Sequence, residues 1–508
     1  MRLWKRSNAA SLGAARLSRL AAALVAFLSL PVVAAAADAR KTFSIPAGPA
    51  TQTMERFASD AGVNVIAAPG VLEQAITQAV DGEMSSQDAL EQMLAGTGVR
   101  ARYVAPGAIV ITLAEEVGDV PTKDGPPSDR EQPADIDDIV VITATRRPTS
   151  FFQTPVSVSA FRSDEFVDKW GSAYNDYAGP IPGVSVAEMA PGRGDILIRG
   201  VSSLSGVGEP TVGVYVNDTP VSVQGLQTAF DFADLKRFEV LRGPQGVNYG
   251  EGALAGAVKL IAQPPKIGVR QSRLSLEYRT NEFDAGGGGD MMLNMPLSDS
   301  DAFRVVAYTR HRPGFFGGAG SLERVGARGA FRREGSAGSA LDVMVWGQDA
   351  TIEGSGLSPL RNDQSLAPMG FKEIFSDGFF LASVSAITST DLGGLTLSAS
   401  YFDKDADLSE RTLVGGQVDD IAQSTLSYNT RRTIGEVRFD SRNIGVVSWN
   451  GGVFLSEEQD ETDVGLIVTE SGDAFTSLSQ TDRTTAAGFG GIRAIYEKGL
   501  ELEAGLRV

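Results

Sequence analysis

The sequence predicts a mainly β protein in three folded regions: a small α+β domain, a mixed α/β middle, and a long antiparallel array. Three observations predict this. Residues 270–508 alternate apolar and polar positions in runs of strand length. Residues 42–114 interleave strand patterns with two helical ones. Residues 148–266 break into short alternating runs separated by Gly, Pro and Asn-Asp. A length of 508 residues admits several domains, and 42% hydrophobic content is ordinary for folded protein.

Residues 1–37 carry five Lys/Arg and then an apolar run from Leu20 to about Val33, closing on small alanines. The run is too short to cross a bilayer comfortably, so it reads as a signal peptide for export rather than a membrane anchor. Its removal takes five positive charges from a chain already at a formal −18. Such acidity argues against a nucleic-acid partner, because phosphate would be repelled. The chain has no cysteine and hence no disulfide staple. No later stretch approaches 18 consecutive apolar residues, so no transmembrane helix is expected.

In residues 42–114, "TFSIPAG", "VNVIAA" and "GAIVITL" read as strands. A helix over Ala50 to Ala61 would bury Met54, Phe57, Ala58 and Ala61. A second starts at Ser85, with Asp88 three residues on in capping-box spacing, and carries Leu90, Met93 and Leu94 before Gly96 and Gly98. The series "TFSIPAGPATQTMERFASDAGVNV…MSSQDALEQMLAGTGVRARYV…AIVITL" resembles the short N-terminal (STN) domain shared by secretins and signal-transducing TonB-dependent receptors. In such receptors the resemblance implies a periplasmic docking site for an anti-sigma regulator.

Residues 115–136 are rich in proline, charge and glycine and read as a flexible linker. At its end lies "DDIVVITATRR" (137–147), whose β-branched residues suit a strand with no obvious partner. In 148–266, "IRGV", "VGVYVNDTPV" and "EVLRGPQGVNYG" are similar to the plug domain of TonB-dependent receptors. Arg199, Gly200, Arg242, Gly243, Pro244, Gly246 and Gly250 are the plug's structural positions on that resemblance. "EGALAGAVKLI" departs from the family's usual turn and leaves local geometry open. Gly243, Gly246, Gly250, Gly252 and Gly256 read as tight turns and close backbone approach, because neither phosphate-loop pattern is present. The 137–147 stretch then resembles a TonB box, with Asp138, Ile139, Val140, Val141, Ile142, Thr143 and Ala144 as the residues that would add a strand to TonB.

Residues 270–508 hold about eleven candidate strands of membrane-spanning length. In "LTLSASY", Leu395, Leu397, Ala399 and Tyr401 share one face and Thr396, Ser398 and Ser400 the other. Long links at 311–324, 349–376, 403–424 and 457–481 alternate with short ones, as in outer-membrane barrels with long outer loops. Plugged transporters have about 22 strands, so the expectation is an open sheet equal to about half a barrel, in a truncated chain.

Chemistry for catalysis is sparse. His311 is the one histidine, read as a loop or strand-end residue, and without cysteine it makes no structural zinc site. G-x-S-x-G is missing. Asp403, Asp405 and Asp407 fit the first positions of a calcium loop, but Leu408 and Val414 stand where Gly and Glu are needed. No enzyme activity, cofactor or metal is expected. The resemblance implies an outer-membrane receptor that takes up a scarce ligand, a ferric siderophore above others, using TonB with ExbB–ExbD. Alternatives are a sensor without transport, or a receptor for cobalamin or an oligosaccharide. Polar, Gly-containing plug loops at 202–208 and 224–230 are the ligand candidates, through Ser202, Ser203, Leu204, Ser205, Gln224, Gln227 and Phe230.

Overall fold

The computed structural model describes residues 41–113, 141–142, 149–150, 157–162, 181–202, 210–280, 285–313, 321–353, 374–413, 421–468 and 474–508, apart from short gaps inside these ranges. The expected signal peptide and linker lie outside the described residues, as does most of the strand at 137–147.

Residues 41–113 fold around their own apolar core. Strands β1 (Lys41–Ile45) and β5 (Val80–Met84) pair antiparallel, as do the two-residue β2 (Gly48–Pro49) and β4 (Ile76–Thr77). A third sheet joins β3 (Asn64–Ala67) in parallel to β7 (Ala108–Leu113), which pairs with β6 (Val99–Ala105). Helix α1 (Ala50–Ala61) buries Met54, Phe57 and Ala61 against them, with the Phe57 ring stacked 5.7 Å from Phe43. Ala58, expected on that face, is half-buried, and Thr53 is buried instead. Its hydroxyl donates to Pro49 O (3.2 Å) and accepts from Thr77 Oγ1 (2.7 Å), which makes a polar residue tolerable there. Helix α2 (Ser86–Leu94) begins at the capping Ser85, whose Oγ accepts from the Asp88 N–H at 3.0 Å. Left-handed glycines at 96 and 98 end it.

In the middle region, β8 (Val141–Ile142) pairs antiparallel with β9 (Thr149–Ser150). A five-stranded sheet has the order β10 (Val158–Arg162), β15 (Leu235–Arg242), β16 (Gly256–Ala262), β13 (Val212–Val216), β14 (Thr219–Pro220). The parallel pair β13–β16 is possible because a long crossover separates the two. A hairpin of β11 (Val184–Ala190) and β12 (Arg193–Ile198) stands beside this sheet. The glycine reading holds where it can be tested most sharply: at Gly256 a Cβ would sit 2.2 Å from Leu241 O. It fails at Gly246, the first residue of the one-turn helix α3 (Gly246–Tyr249), where a Cβ would meet open space.

The third region is one open sheet of eleven antiparallel strands paired in chain order. They are β17 (Gln271–Thr280), β18 (Ala285–Pro296), β19 (Asp301–Arg312), β20 (Ser321–Glu334), β21 (Ala340–Glu353), β22 (Ile374–Thr390), β23 (Gly393–Leu413), β24 (Ile421–Ser441), β25 (Val447–Val468), β26 (Ala474–Ile495) and β27 (Glu501–Arg507). The outward face is apolar and exposed: Leu274, Leu276 and Tyr278 on β17, Val453 and Leu455 on β25, Leu502 and Leu506 on β27. The opposite face meets the middle region. Two expected long links are corrected. Most of 403–424 and 457–481 is strand, because the ladder continues through polar sequence where nothing demands an apolar face. Asp403, Asp405 and Asp407 therefore lie along extended β23, a geometry that cannot wrap an ion as a calcium loop does. Asp405 accepts from Asn429 Nδ2 and Asp407 from Ser427 Oγ across the ladder. His311 is the penultimate residue of β19, opposite Glu323.

At the inner face the middle region and the large sheet share one core. Phe230, Phe232 and Phe238 pack with Trp346, Phe379, Leu381 and Phe402. Each such side chain withdrawn from water contributes about 1.5–3 kcal/mol. The small unit touches the large sheet where α2 and β6 meet a 3-10 turn at Ser336–Gly338.

Candidate functional site

The segment "FDFAD", residues 230–234, leads into β15 and carries the contact between the two regions. Its alternation divides the work. Phe230 and Phe232 enter the aromatic core, with Phe230 5.5 Å from Trp346 and 4.8 Å from Phe379. Asp231 and Asp234 turn to the arginines of the sheet. Asp234 sits at φ +53°, an uncommon conformation that Asp adopts more readily than most residues.

Four inward arginines on two adjacent strands receive these carboxylates. The even spacing of Arg304 and Arg310 on β19, and of Arg324 and Arg328 on β20, puts all four on one face. Arg304 grips Asp234 in a fork, Nε to Oδ2 at 2.7 Å and Nη2 to Oδ1 at 2.6 Å. Arg328 donates to the backbone carbonyls of Ala233 (3.1 Å) and Asp234, and its guanidinium lies 5.1 Å from the Trp346 ring centre. Asp231 is held less closely: Arg310 Nη2 donates to Oδ1 at 3.3 Å and Arg324 Nη1 to Oδ2 at 3.5 Å. All six side chains are buried. Such a cluster costs several kcal/mol of desolvation per ion and is stable only while its partners stay in place.

A neutral relay runs beside the charges. Gln348 Oε1 accepts from the Asp231 N–H (3.1 Å) and from Tyr308 OH (2.9 Å), and Tyr308 OH in turn accepts from Trp346 Nε1 (2.9 Å). Farther along, Asn294 holds the chain between the regions, donating to Lys266 O (2.9 Å) and Val269 O (2.7 Å). On β24, Arg432 pairs with Glu458 and donates to Ser222 O at 3.1 Å.

The residues singled out in the sequence fall in three groups. The structural positions cluster as a corner: Arg242 Nη1 donates to Pro182 O (2.7 Å), Arg199 N–H to Gly183 O (2.7 Å), and Arg199, Gly200, Gly243 and Gly250 have positive φ. Gln245 N–H donates to Ala253 O just after Pro244. Of the strand-addition residues, Val141 and Ile142 are described, and they pair with Ser150 and Thr149 of the same chain, so that part is not partnerless. Asp138, Ile139, Val140, Thr143 and Ala144 lie outside the described residues. Of the ligand candidates, Ser203, Leu204, Ser205 and Gln224 also lie outside. Ser202 is half-buried, and Gln227 Nε2 donates to Val223 O at 3.3 Å. Phe230 is only 1% exposed, and its ring is committed to the core, so it does not face an arriving ligand. Sequence reasoning missed Asp231, Asp234 and their arginines. The available signal was the even spacing of arginines in β19 and β20, which marks an inward face.

Comparison with known proteins agrees with this geometry. The TonB-dependent Receptor Plug Domain family matches residues 150–257. The ferripyoverdine receptor of Pseudomonas aeruginosa is 24% identical over 297 residues, 55% of this chain and 35% of that protein. The hemin receptor of Yersinia enterocolitica is 29% identical over 130 residues, 24% of this chain and 18% of that protein. The crystal structure of the P. aeruginosa receptor bound to ferripyoverdine superposes with a TM-score of 0.58 at 17% identity, covering 92% of this chain and 65% of that one. This chain thus spans about a third of that curated relative in sequence and under two thirds of it in structure. Residues 150–257 match the plug domain of TonB-dependent receptors, and the strand wall they are set against shares the fold of the ferripyoverdine receptor.

Proposed function

We propose that the protein is an outer-membrane receptor for TonB-dependent uptake of a ferric siderophore, with residues 42–114 signalling in the periplasm to an anti-sigma regulator. The observation that carries this reading is the two-faced wall. Its exposed side is apolar, as lipid requires, and its other side is charged and filled by the plug. A plug held by buried ion pairs opens no path unaided, so energy has to reach it from the periplasm, through TonB and ExbB–ExbD. The names of the relatives support an iron-bearing ligand of the siderophore or haem class. With His311 as the single histidine, the siderophore is favoured, since haem iron commonly takes a His ligand.

The stretch 137–147 is the proposed TonB-binding strand. A two-residue ladder such as β8–β9 is marginal, so it is readily exchanged for a longer pairing with another protein's sheet edge. Strand addition draws its affinity from backbone hydrogen bonds. Val141→Pro removes an N–H and should leave surface binding of ferripyoverdine intact while import of radiolabelled iron is lost; Val141→Ala should still import. Loss of binding and import together in the proline variant would defeat the reading. Deleting residues 42–114 should abolish ligand-induced transcription and spare uptake. Transcription that responds to ligand without any uptake would instead identify a sensor.

A further inference from the structure

The two aspartates of "FDFAD" are held in unequal ways. Asp234 has a forked grip from Arg304 at 2.6 and 2.7 Å. Asp231 has contacts at 3.3 and 3.5 Å from two guanidiniums that are themselves incompletely satisfied. The Arg324 side chain is 1% exposed, yet its Nε and Nη2 have no hydrogen-bond partner among the described residues. Its one hydrogen bond there is the 3.5 Å contact to Asp231 Oδ2. Arg310, its cross-strand partner in register, is shared among Asp231, Asp290 and Glu277.

A buried guanidinium with two idle donors is costly. Its planar fork matches one oxyanion of carboxylate type better than the single oxygen that Asp231 presents. Arg310 and Arg324 also lie toward the ends of β19 and β20 that the link 313–320 joins, whereas Arg304 and Arg328 lie deeper along the same strands. On the receptor reading the Arg312 end of β19 and the Ser321 end of β20 face outward, so a ligand from outside reaches the loosely held aspartate's pair before the tightly held one.

We propose that Arg310 and Arg324 form a subsite for one carboxylate-type group of the ligand, and that this group displaces Asp231 from Arg324. The proposal rests on the receptor reading for the direction of approach. The exchange conserves charge at the arginine, one carboxylate replacing another. The displaced Asp231 keeps a partner, because its Oδ1 accepts from the Ala233 N–H at 2.9 Å. What is released is the grip on the loop's outer half. Arg304 still anchors Asp234, so the exchange loosens 230–233 while the plug stays seated. Ligand occupancy at the wall is thereby conveyed to the plug.

The test uses the full chain folded in detergent and citrate as probe, with triethyl citrate as its uncharged counterpart. Calorimetry should show citrate binding in the wild type and no binding of the ester. Asp231→Asn removes the competing carboxylate and should bind citrate about tenfold more tightly, while Arg324→Gln should bind at least about tenfold more weakly. Hydrogen exchange on the wild type keeps the test independent of variant folding. Saturating citrate should speed exchange of the Asp231 amide, which donates to Gln348, and leave β15 unchanged. Absence of citrate binding, binding indifferent to Arg324→Gln, or an unaltered Asp231 amide would each overturn the proposal. None of these outcomes touches the uptake reading, which is measured in cells with ferripyoverdine.

Discussion

The small unit at 41–113 and the plug–wall contact are both well buried, but they are built from opposite materials. The first closes on aliphatic and aromatic side chains, Phe43, Met54, Phe57, Val80, Leu90 and Ile109 among them. The second combines an aromatic core with Asp231, Asp234 and four arginines. Apolar packing asks only that volume be filled, so the small unit keeps its fold without a charged partner from another region. A buried charge cluster is stable only with every partner present, and a change at one member is felt by the others. Dispersion therefore holds a unit together from within, whereas charge ties two regions to each other.

The largest expected effect breaks the charged side of this comparison. Asp234→Ala leaves Arg304 and Arg328 buried without their carboxylate and should weaken plug seating by about 3–5 kcal/mol. Hydrogen exchange should rise across β15 and β16 and stay unchanged in residues 41–113. Phe57→Ala is the converse, a cavity costing about 3–5 kcal/mol in the small unit. Its thermal unfolding should shift while plug exchange does not. If Phe57→Ala loosens β15 as well, the two regions share one cooperative core and the contrast collapses.

A smaller effect sharpens it. Gln348→Leu removes the acceptor shared by the Asp231 N–H and Tyr308 OH. Each orphaned buried donor costs about 1–3 kcal/mol. Exchange of the Asp231 amide should accelerate far more than that of β13, and equal acceleration at both would show that the glutamine serves the plug's general stability.

What the sequence revealed follows the same divide. Period-two alternation was legible in the strands because an apolar outward face and an inward face against the plug make opposite demands on successive residues, as in Leu395 to Tyr401. The outer extents of β23 to β26 were not legible, because polar residues on both faces look like loop when read singly. Asp231 and Asp234 carry no local signal of their own; only the pairing of β19 with β20 brings Arg304, Arg310, Arg324 and Arg328 together. Thr53 hid for a related reason, since its partner Thr77 is 24 residues away. The cap at Ser85 was legible because its partner is three residues on.

That cap supplies the smallest effect, and one that distinguishes local from long-range support. Ser85 Oγ accepts the Asp88 N–H, so Ser85→Ala leaves one helix-start donor to water and should cost about 1 kcal/mol. Ser85→Asp restores an acceptor and adds negative charge at the helix N-terminus, and should recover most of that loss. Helix α2 also lies against the turn at Ser336–Gly338. If this contact held the helix in place, Ser85→Ala would leave thermal unfolding of residues 41–113 nearly unmoved. A drop of a few degrees in the alanine variant, reversed by aspartate, would show that the small unit draws its stability from within and treats the wall as a resting place.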